Sequence, residues 1–450
     1  MGVGTIDQLR QLFARHRVDA ILIKPLAPKQ DNDKNQIYLG SGLDGVTQIF
    51  PARIAARSAS LSTKKRASSV GRPKIEASID LAWLDGNGAL SKAPNARIID
   101  YFQYPEVRLS GFLNGCDSPP DSLRRTRQAL YGRRILALGV TPTGTVLGRV
   151  LTERDDPLVA KFPDLPELPA ARIFRVLPVG GPSGSTPLDL LRAELGSIVE
   201  GWHSSVILKP GAGAPIPFRG PQGAGLTLEA LLGIAKDARK APDKHGYEIK
   251  SFAGSRISLM TPAPDEGFQG EHSFRDFMAR YGRDGQKGDG SRRFTGLYKC
   301  GMATNGLELK VRGYDPASDT FGAPSGISVD LQDLASGDIV ARWSLERLAN
   351  SWNSKHASAL YIPYIRRPAA GGSHDYEYQY GSKALVGEGT DVWRLLRAIH
   401  KGMVFYDPAH SIYPDGTAKV RPQWRVNSAS LPTTAKALYA SSFELKLGGP

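Results

Sequence analysis

Between Thr227 and Pro262 the chain reads TLEALLGIAKDARKAPDKHGYEIKSFAGSRISLMTP, and three local patterns stand side by side in it. TLEALLGI has helical apolar spacing, which predicts a short helix with Thr227 as N-cap, Leu228, Leu231 and Leu232 facing inward, and Glu229 in the first turn. Pro242-Asp243 marks a turn whose proline ring fixes the backbone leading into the acid. Gly246 to Ser251 reads as a strand. With a side-chain period of two, Glu248 and Lys250 share one face, while Tyr247 and Ile249 share the other, which faces the core.

These residue types suit one chemistry. Hydrolysing a phosphodiester requires neutralising charge on the phosphoryl oxygens and activating a water. Asp243 and Glu248 are two hard oxygen ligands of the kind Mg²⁺ takes beside waters and substrate phosphate, and the Ile249 carbonyl is a natural further ligand. Lys250 is placed to orient the water or to stabilise charge on the phosphate, and Glu229 to hold a metal-bound water or a second cation. Glu-x-Lys alone says little, since it recurs as Glu308-Leu309-Lys310 and Glu444-Leu445-Lys446. Only the first copy has Pro-Asp five positions before its glutamate; the others read as ordinary strand alternation.

Pro242-Asp243-x4-Glu248-x-Lys250 matches the PD-(D/E)xK nuclease motif, and its surroundings resemble the MvaI/BcnI restriction endonuclease family, whose fold is close to that of the MutH mismatch-repair nickase. The resemblance rests on GPQGAG, TLEALLGI, KAPD, GYEIKS and ISLMTP, then on Ala359–Pro363 and Lys419–Val426 as later strands, and it covers about 188–450. It implies a MutH-like mixed sheet flanked by helices. It also implies Asp243 and Glu248 as metal ligands, Lys250 as the catalytic lysine, Glu229 as an accessory acid, and Arg421 and Arg425 facing DNA from one side of a strand. The family cuts double-stranded DNA with Mg²⁺, for which Mn²⁺ is expected to substitute. Some members act as monomers that nick each strand in turn, so a monomer or a homodimer is expected.

Composition agrees with an anionic partner. The 450 residues carry 58 Lys+Arg against 44 Asp+Glu, a net +14, and excess positive charge of this kind favours nucleic acid. Gly 49 and Pro 32 predict a loop-rich α/β or α+β protein. Two cysteines, Cys116 and Cys300, exclude a disulfide scaffold and a Cys-based zinc ribbon. No apolar run approaches the roughly 20 residues of a bilayer span. The first residues read as an amphipathic helix capped by Thr5, with Ile6, Leu9, Leu12 and Phe13 on one face, and a cytoplasmic protein is expected. Gly-rich GPQGAG lacks the ending of a nucleotide-binding P-loop, and no nucleophile elbow is present.

PVGGPSGSTP, Pro178 to Pro187, reads as a joint, which predicts an α+β N-terminal domain over 1–178, a linker at 179–187 and the endonuclease domain at 188–450. In the first part AILIKPL from Ala20 and IDLAWL from Ile79 read as strands, RILALGV-TPTG-TVLGRVL from Arg134 as a hairpin, and DSLRRTRQALYG as a helix. Residues 51–150 are markedly basic. Their densest piece, STKKRASSVGRPKIE, offers Lys64, Lys65, Arg66 and Arg72 as phosphate contacts. The domain is expected to add DNA contacts or to dock a partner such as a methyltransferase or a defence-complex subunit. Elsewhere Lys355 and His356 are candidate DNA contacts, His374-Asp375-x-Glu377 reads as a polar loop, and Arg292-Arg293 reads equally as a backbone contact or as a surface pair. Rival readings are a strand-specific nickase, an inactive DNA-binding regulator and, more weakly, an RNA-cleaving enzyme.

Overall fold

The structure is a computed structural model that describes residues 2–27, 36–40, 46, 50–57, 74–101, 106–162, 170–171, 173–179, 186–236, 243–286, 288–352, 356–369 and 375–448. Its contacts divide the chain into two compact units. One comprises Met1–Ser251, Tyr364–Ala384 and Leu445–Pro450, the other Phe252–Pro363 and Leu385–Glu444. Both mix strands and short helices, as expected of an α/β chain rich in turn residues.

The first unit opens with the helix Ile6–Ala14, in which the Thr5 side chain accepts from Gln8 N and Leu9, Leu12 and Phe13 are buried. It packs into the core of a seven-stranded sheet ordered Ala170–Ala171, Phe174–Pro178, Ala20–Leu26, Arg134–Val140, Val146–Thr152, Leu81–Leu84 and Leu90–Lys92. The expected hairpin is present, antiparallel from Val140↔Val146 to Arg134↔Thr152. Glycine is required inside it: a Cβ on Gly139 would lie 2.6 Å from Val18 Cγ1, and one on Gly148 2.8 Å from the Trp83 ring. A second sheet, ordered Gln36–Gly40, Glu106–Ser110, Arg97–Tyr101, Lys74–Ile79 and Ala52–Arg57, is antiparallel throughout. The helix expected at DSLRRTRQALYG is instead two 3₁₀ turns, Asp121–Leu123 and Gln128–Tyr131, because Arg124 is extended between them.

Further along, the helix Pro187–Ile198 starts on a capping box in which Thr186 and Asp189 satisfy each other's backbone N–H. Of the expected joint, residues 180–185 lie outside the described residues. Tyr364–Pro368 pairs with Tyr376–Tyr380, which also carries the short strand His203–Ser204. The strand Glu248–Phe252 pairs with Ser358–Pro368.

In the second unit Leu307–Arg312, Ser328–Asp333 and Ile339–Ser344 form an antiparallel sheet. Its centre is a buried ion-pair group. Asp330, fully buried, accepts two 2.8 Å bonds from Arg342 and a 2.7 Å bond from the Ser328 hydroxyl, with Arg312 at 3.3 Å. Burial alone would raise its pKa, but these donors outweigh it and hold the carboxyl below the usual range. Nearby, Trp343, Trp352 and Trp424 are fully buried.

Because the native pKa of Asp330 is depressed, its stabilisation is complete above the ordinary aspartate pKa of about 4 and is lost as pH falls through the native value. Asp330→Asn is therefore expected to destabilise the fold by about 2–3 kcal/mol at pH 7, the partial exposure of Arg342 reducing the cost. The variant should also flatten the acid limb of the stability-versus-pH curve, as read by urea unfolding between pH 3 and 7.

Candidate active site

The motif is organised by a turn. His245 and Gly246 both have positive φ, 48° and 83°, and Lys244 and Tyr247 on either side exchange both backbone hydrogen bonds, at 3.1 and 2.8 Å. This is a two-residue hairpin of the primed kind, which requires left-handed backbone at both central positions. Asp243 stands immediately before this pair and Glu248 immediately after it. The Pro-Asp-x4-Glu spacing is thus the spacing of a minimal hairpin. Asp243 Oδ2 accepts from the Ile249 backbone N–H at 2.8 Å, which fixes its carboxylate beside the motif strand. Pro242 lies outside the described residues.

On that strand Tyr247 and Ile249 are buried, as expected. Lys250 Nζ donates to Glu248 Oε1 at 2.5 Å, so the two share a face, as expected. That face is not an exposed one, however: only 3% of the Glu248 side chain is exposed. The two other Glu-x-Lys copies differ. Glu308 and Lys310 also pair, at 3.3 Å, but 22% of the Glu308 side chain is exposed and Gln332, not an acid, stands opposite. Glu444 and Lys446 lie on the mostly exposed strand Ser441–Lys446.

The helix bearing Glu229 runs Gly223–Leu231 and so begins five residues earlier than expected. Thr227 is not its cap but a buried interior residue whose hydroxyl accepts from Val206 N at 3.0 Å. Glu229 therefore lies in the second turn, and Leu231 is 37% exposed while Leu228 and Leu232 are buried. GPQGAG explains the earlier start: a Cβ on Gly223 would lie 2.2 Å from Tyr378 Oη and 2.7 Å from Ser205 Oγ, so only glycine lets the helix approach there. The helix passes the motif strand at Ser251, whose Oγ is 3.9 Å from where a Gly225 Cβ would stand. Close by, burial first, then the Tyr378 and Tyr364 phenols and the charge of Glu229, push the Tyr380 hydroxyl far above its ordinary range.

Three residues not singled out from sequence clamp the hairpin. Glu194, from the Pro187–Ile198 helix, accepts from His245 Nε2 at 2.9 Å and pairs with Lys244 Nζ at 3.4 Å. Lys244 Nζ also donates to the Leu232 carbonyl at 2.9 Å, at the end of the Glu229 helix. His-Gly was the available signal, as a left-handed pair flanked by strand residues.

Among the described residues no three His, Cys, Asp or Glu side chains form a group able to hold a metal ion. The donor set Asp243, Glu248 and the Ile249 carbonyl nonetheless fits a small hard cation such as Mg²⁺, which takes one or two carboxylates and fills its other positions with water and phosphate.

The expected DNA contacts fare differently. His356 is fully buried, its ring stacked on Trp352 at 4.2 Å and its Nε2 3.0 Å from the Leu259 carbonyl, so it presents no edge to solvent. Lys419–Val426 is not one strand. Ala418–Lys419 pairs with Ala409–Ile412 and Trp424–Asn427 with Arg256–Met260, so Arg421 and Arg425 do not share an alternating face. Arg425 is held by Asp407 at 2.9 Å, beside Arg256 on the same carboxylate at 2.7 Å, while exposed Arg421 donates its backbone N–H to buried His410. Arg292 and Arg293 are bound to carbonyls at the end of the Phe274–Tyr281 helix and to Asp289. Glu377 pairs with Arg367. Lys64, Lys65, Arg66, Arg72, Lys355 and His374 lie outside the described residues. No helix among the described residues is long and apolar enough to cross a membrane.

The strand beside the tight turn carries a buried glutamate paired to a lysine, and the aspartate before the turn is held on the backbone of that strand. The chain belongs to the MvaI/BcnI restriction endonuclease family, whose model matches residues 199–434, and it is accordingly a DNA endonuclease. Among solved structures it is similar to the restriction endonuclease MvaI in complex with its cognate DNA substrate, with 21% identity over 59% of this chain and 100% of that one and a TM-score of 0.42. It is also similar to MvaI in the absence of DNA, with 19% identity over 59% and 99% and a TM-score of 0.31. A comparison with curated protein sequences finds no match.

The hairpin predicts a residue-specific tolerance. A Cβ on Gly246 would meet nothing within 4 Å, so only its φ of 83° restricts it. Gly246→Val should cost about 1–2 kcal/mol in urea unfolding, whereas Gly246→Asn, which accepts left-handed backbone, should cost less than half as much.

Proposed function

We propose that this chain hydrolyses phosphodiester bonds in double-stranded DNA in a sequence-specific, Mg²⁺-dependent reaction, as the nuclease of a restriction or phage-defence system. The observation that carries this reading is that the Asp243 carboxylate accepts from the Ile249 N–H of the strand on which Lys250 bonds Glu248, inside the segment that matches the family. In this reading Asp243, Glu248 and the Ile249 carbonyl hold the cation, which when bound supplies charge neutralisation at the phosphate and lowers the pKa of water. The Ile249 N–H fixes one Asp243 carboxylate oxygen beside the motif strand, where the carboxylate would help hold the cation. Lys250, on the same strand face, donates to the attacking water or to a non-bridging phosphoryl oxygen. Glu229 approaches from its helix as an accessory acid and positions a water. The oxygen of water bonds to phosphorus as the bond to the leaving oxygen breaks; the water gives up a proton to solvent, and the leaving oxygen takes one from solvent.

Residues 188–450 form the nuclease in this account, and 1–178 supply additional DNA or partner contacts, a methyltransferase or defence-complex subunit being the partner class. The exposed side chain of Arg421 is the remaining DNA contact of those expected on the late strand. Arg425, tied to Asp407, acts at most by shaping that surface.

Asp243→Ala and Lys250→Ala should each lower cleavage of supercoiled plasmid by about a thousandfold or more, with DNA binding changed only a few-fold. Cleavage should stop with EDTA and return with Mg²⁺ or Mn²⁺, and Glu229→Gln should cause a smaller loss. Full cleavage by the Asp243 variant would overturn the assignment. Nicked circles that never become linear would favour a strand-specific nickase.

A further inference from the structure

In the second unit the strand Arg256–Met260 buries Ile257 and Leu259 and turns Arg256 and Ser258 to its other face. Antiparallel pairing sets exposed Asn427 opposite Arg256 and sets Arg425 opposite Ser258, so these polar side chains share that face. Asp407, only 11% exposed, joins the two arginines. Its Oδ2 accepts from Arg256 Nη1 at 2.7 Å and from Arg425 Nη1 at 2.9 Å. The arginines are used differently. Arg425 spends its other nitrogens inside the network, Nε on Ser258 Oγ at 3.1 Å and Nη2 on Gln423 Oε1 at 2.8 Å. Arg256 is 40% exposed, and its Nε–H and Nη2–H have no partner among the described residues. Those two groups lie side by side on one edge of the planar guanidinium, a fork of parallel donors.

Charge pairing does not require this arrangement. Arg425 alone neutralises Asp407, and a second guanidinium on the same carboxylate oxygen stands beside like charge. Arg312, which joins Arg342 on Asp330, spends the corresponding edge, Nε on Asp330 and Nη2 on Gln332. The Arg256 edge is instead anchored from behind and left open. A phosphate needs charge more than direction, whereas the shared carboxylate offsets the charge of Arg256 and leaves its donor directions intact. The fork fits a neutral group with two adjacent acceptors in one plane. Guanine presents such a pair, O6 and N7, in the major groove of duplex DNA, and bidentate arginine is the commonest specific contact to it. Anchoring also reduces the rotamer entropy that a free arginine loses on binding.

We propose that Arg256 is a specificity-determining residue that reads a guanine through its Nε and Nη2 edge, with Asp407 as the positioning residue that aims it. The assignment deepens the proposed function and rests on its sequence-specific action on double-stranded DNA.

The full chain, Arg256→Ala, Arg256→Lys and Asp407→Asn are each mixed with a randomised duplex library, with Ca²⁺ in place of Mg²⁺, and the bound duplexes are sequenced. Wild type should enrich a motif containing a guanine whose replacement by 7-deazaguanine, which lacks the N7 acceptor, weakens binding about tenfold. Both Arg256 variants should lose the preference at that base pair alone and bind the two bases equally. Asp407→Asn should lose part of it. Arg256 is exposed, so its variants decide the question even where melting curves show Asp407→Asn unfolded. A motif kept intact by Arg256→Ala would overturn the assignment. So would uniform weakening over all sequences with a salt slope flatter by about one, the mark of a phosphate contact. Full preference in a folded Asp407→Asn would remove the positioning role. No motif in the wild type would sink the sequence-specific reading, and the assignment with it.

Discussion

One backbone amide, that of Ile249, holds the Asp243 carboxylate against the strand that carries Glu248 and Lys250. That bond exists only because the chain reverses over two residues. Because side chains alternate, a turn longer by one residue would swing Asp243 to the opposite face and separate it from Glu248. Left-handed backbone at His245 and Gly246 and the clamp from Glu194 and Leu232 to Lys244 and His245 fix this reversal. The clamp ties the hairpin to two helices at once, so the geometry of the site is set by the packing of the first unit rather than by the loop alone.

Burial then distinguishes the site from its look-alikes. Glu308-x-Lys310 makes the same ion pair on the same kind of strand, yet in a partly exposed setting that offers little in stability, and the acid across from Lys310, Asp330, is held by arginines. Glu248 is almost completely covered, whereas the Glu308 side chain is about one-fifth exposed. Asp330 shows what a structural buried acid looks like in this chain: two arginines and a hydroxyl converge on it. Glu248 instead pairs with Lys250 on the strand whose Ile249 N–H holds Asp243.

Much of this was legible in the sequence wherever a short-range rule governs. The Thr5 cap, the Arg134–Thr152 hairpin and the shared face of Glu248 and Lys250 follow from capping, turn and alternation patterns that need no tertiary information. The rest depended on partners distant in sequence. Thr227 looks like a cap until Val206 is brought against its hydroxyl, and the true helix start depends on Tyr378 and Ser205 crowding Gly223. His356 resembles a surface base contact until Trp352 and Leu259 enclose it. Arg425 resembles a DNA-facing residue until Asp407 claims it. DSLRRTRQALYG has helical composition, but an extended Arg124 splits it into two turns.

The hairpin is proposed to make Asp243 and Glu248 into one cation site, and Mn²⁺ titration followed by electron paramagnetic resonance tests this without reference to any substrate. Saturable Mn²⁺ binding by the full chain that Mg²⁺ competes away is expected. That binding should be lost in both Asp243→Ala and Glu248→Gln, with melting behaviour unchanged, and retained in Glu308→Gln. Equal Mn²⁺ binding by wild type and the Asp243 and Glu248 variants would contradict it.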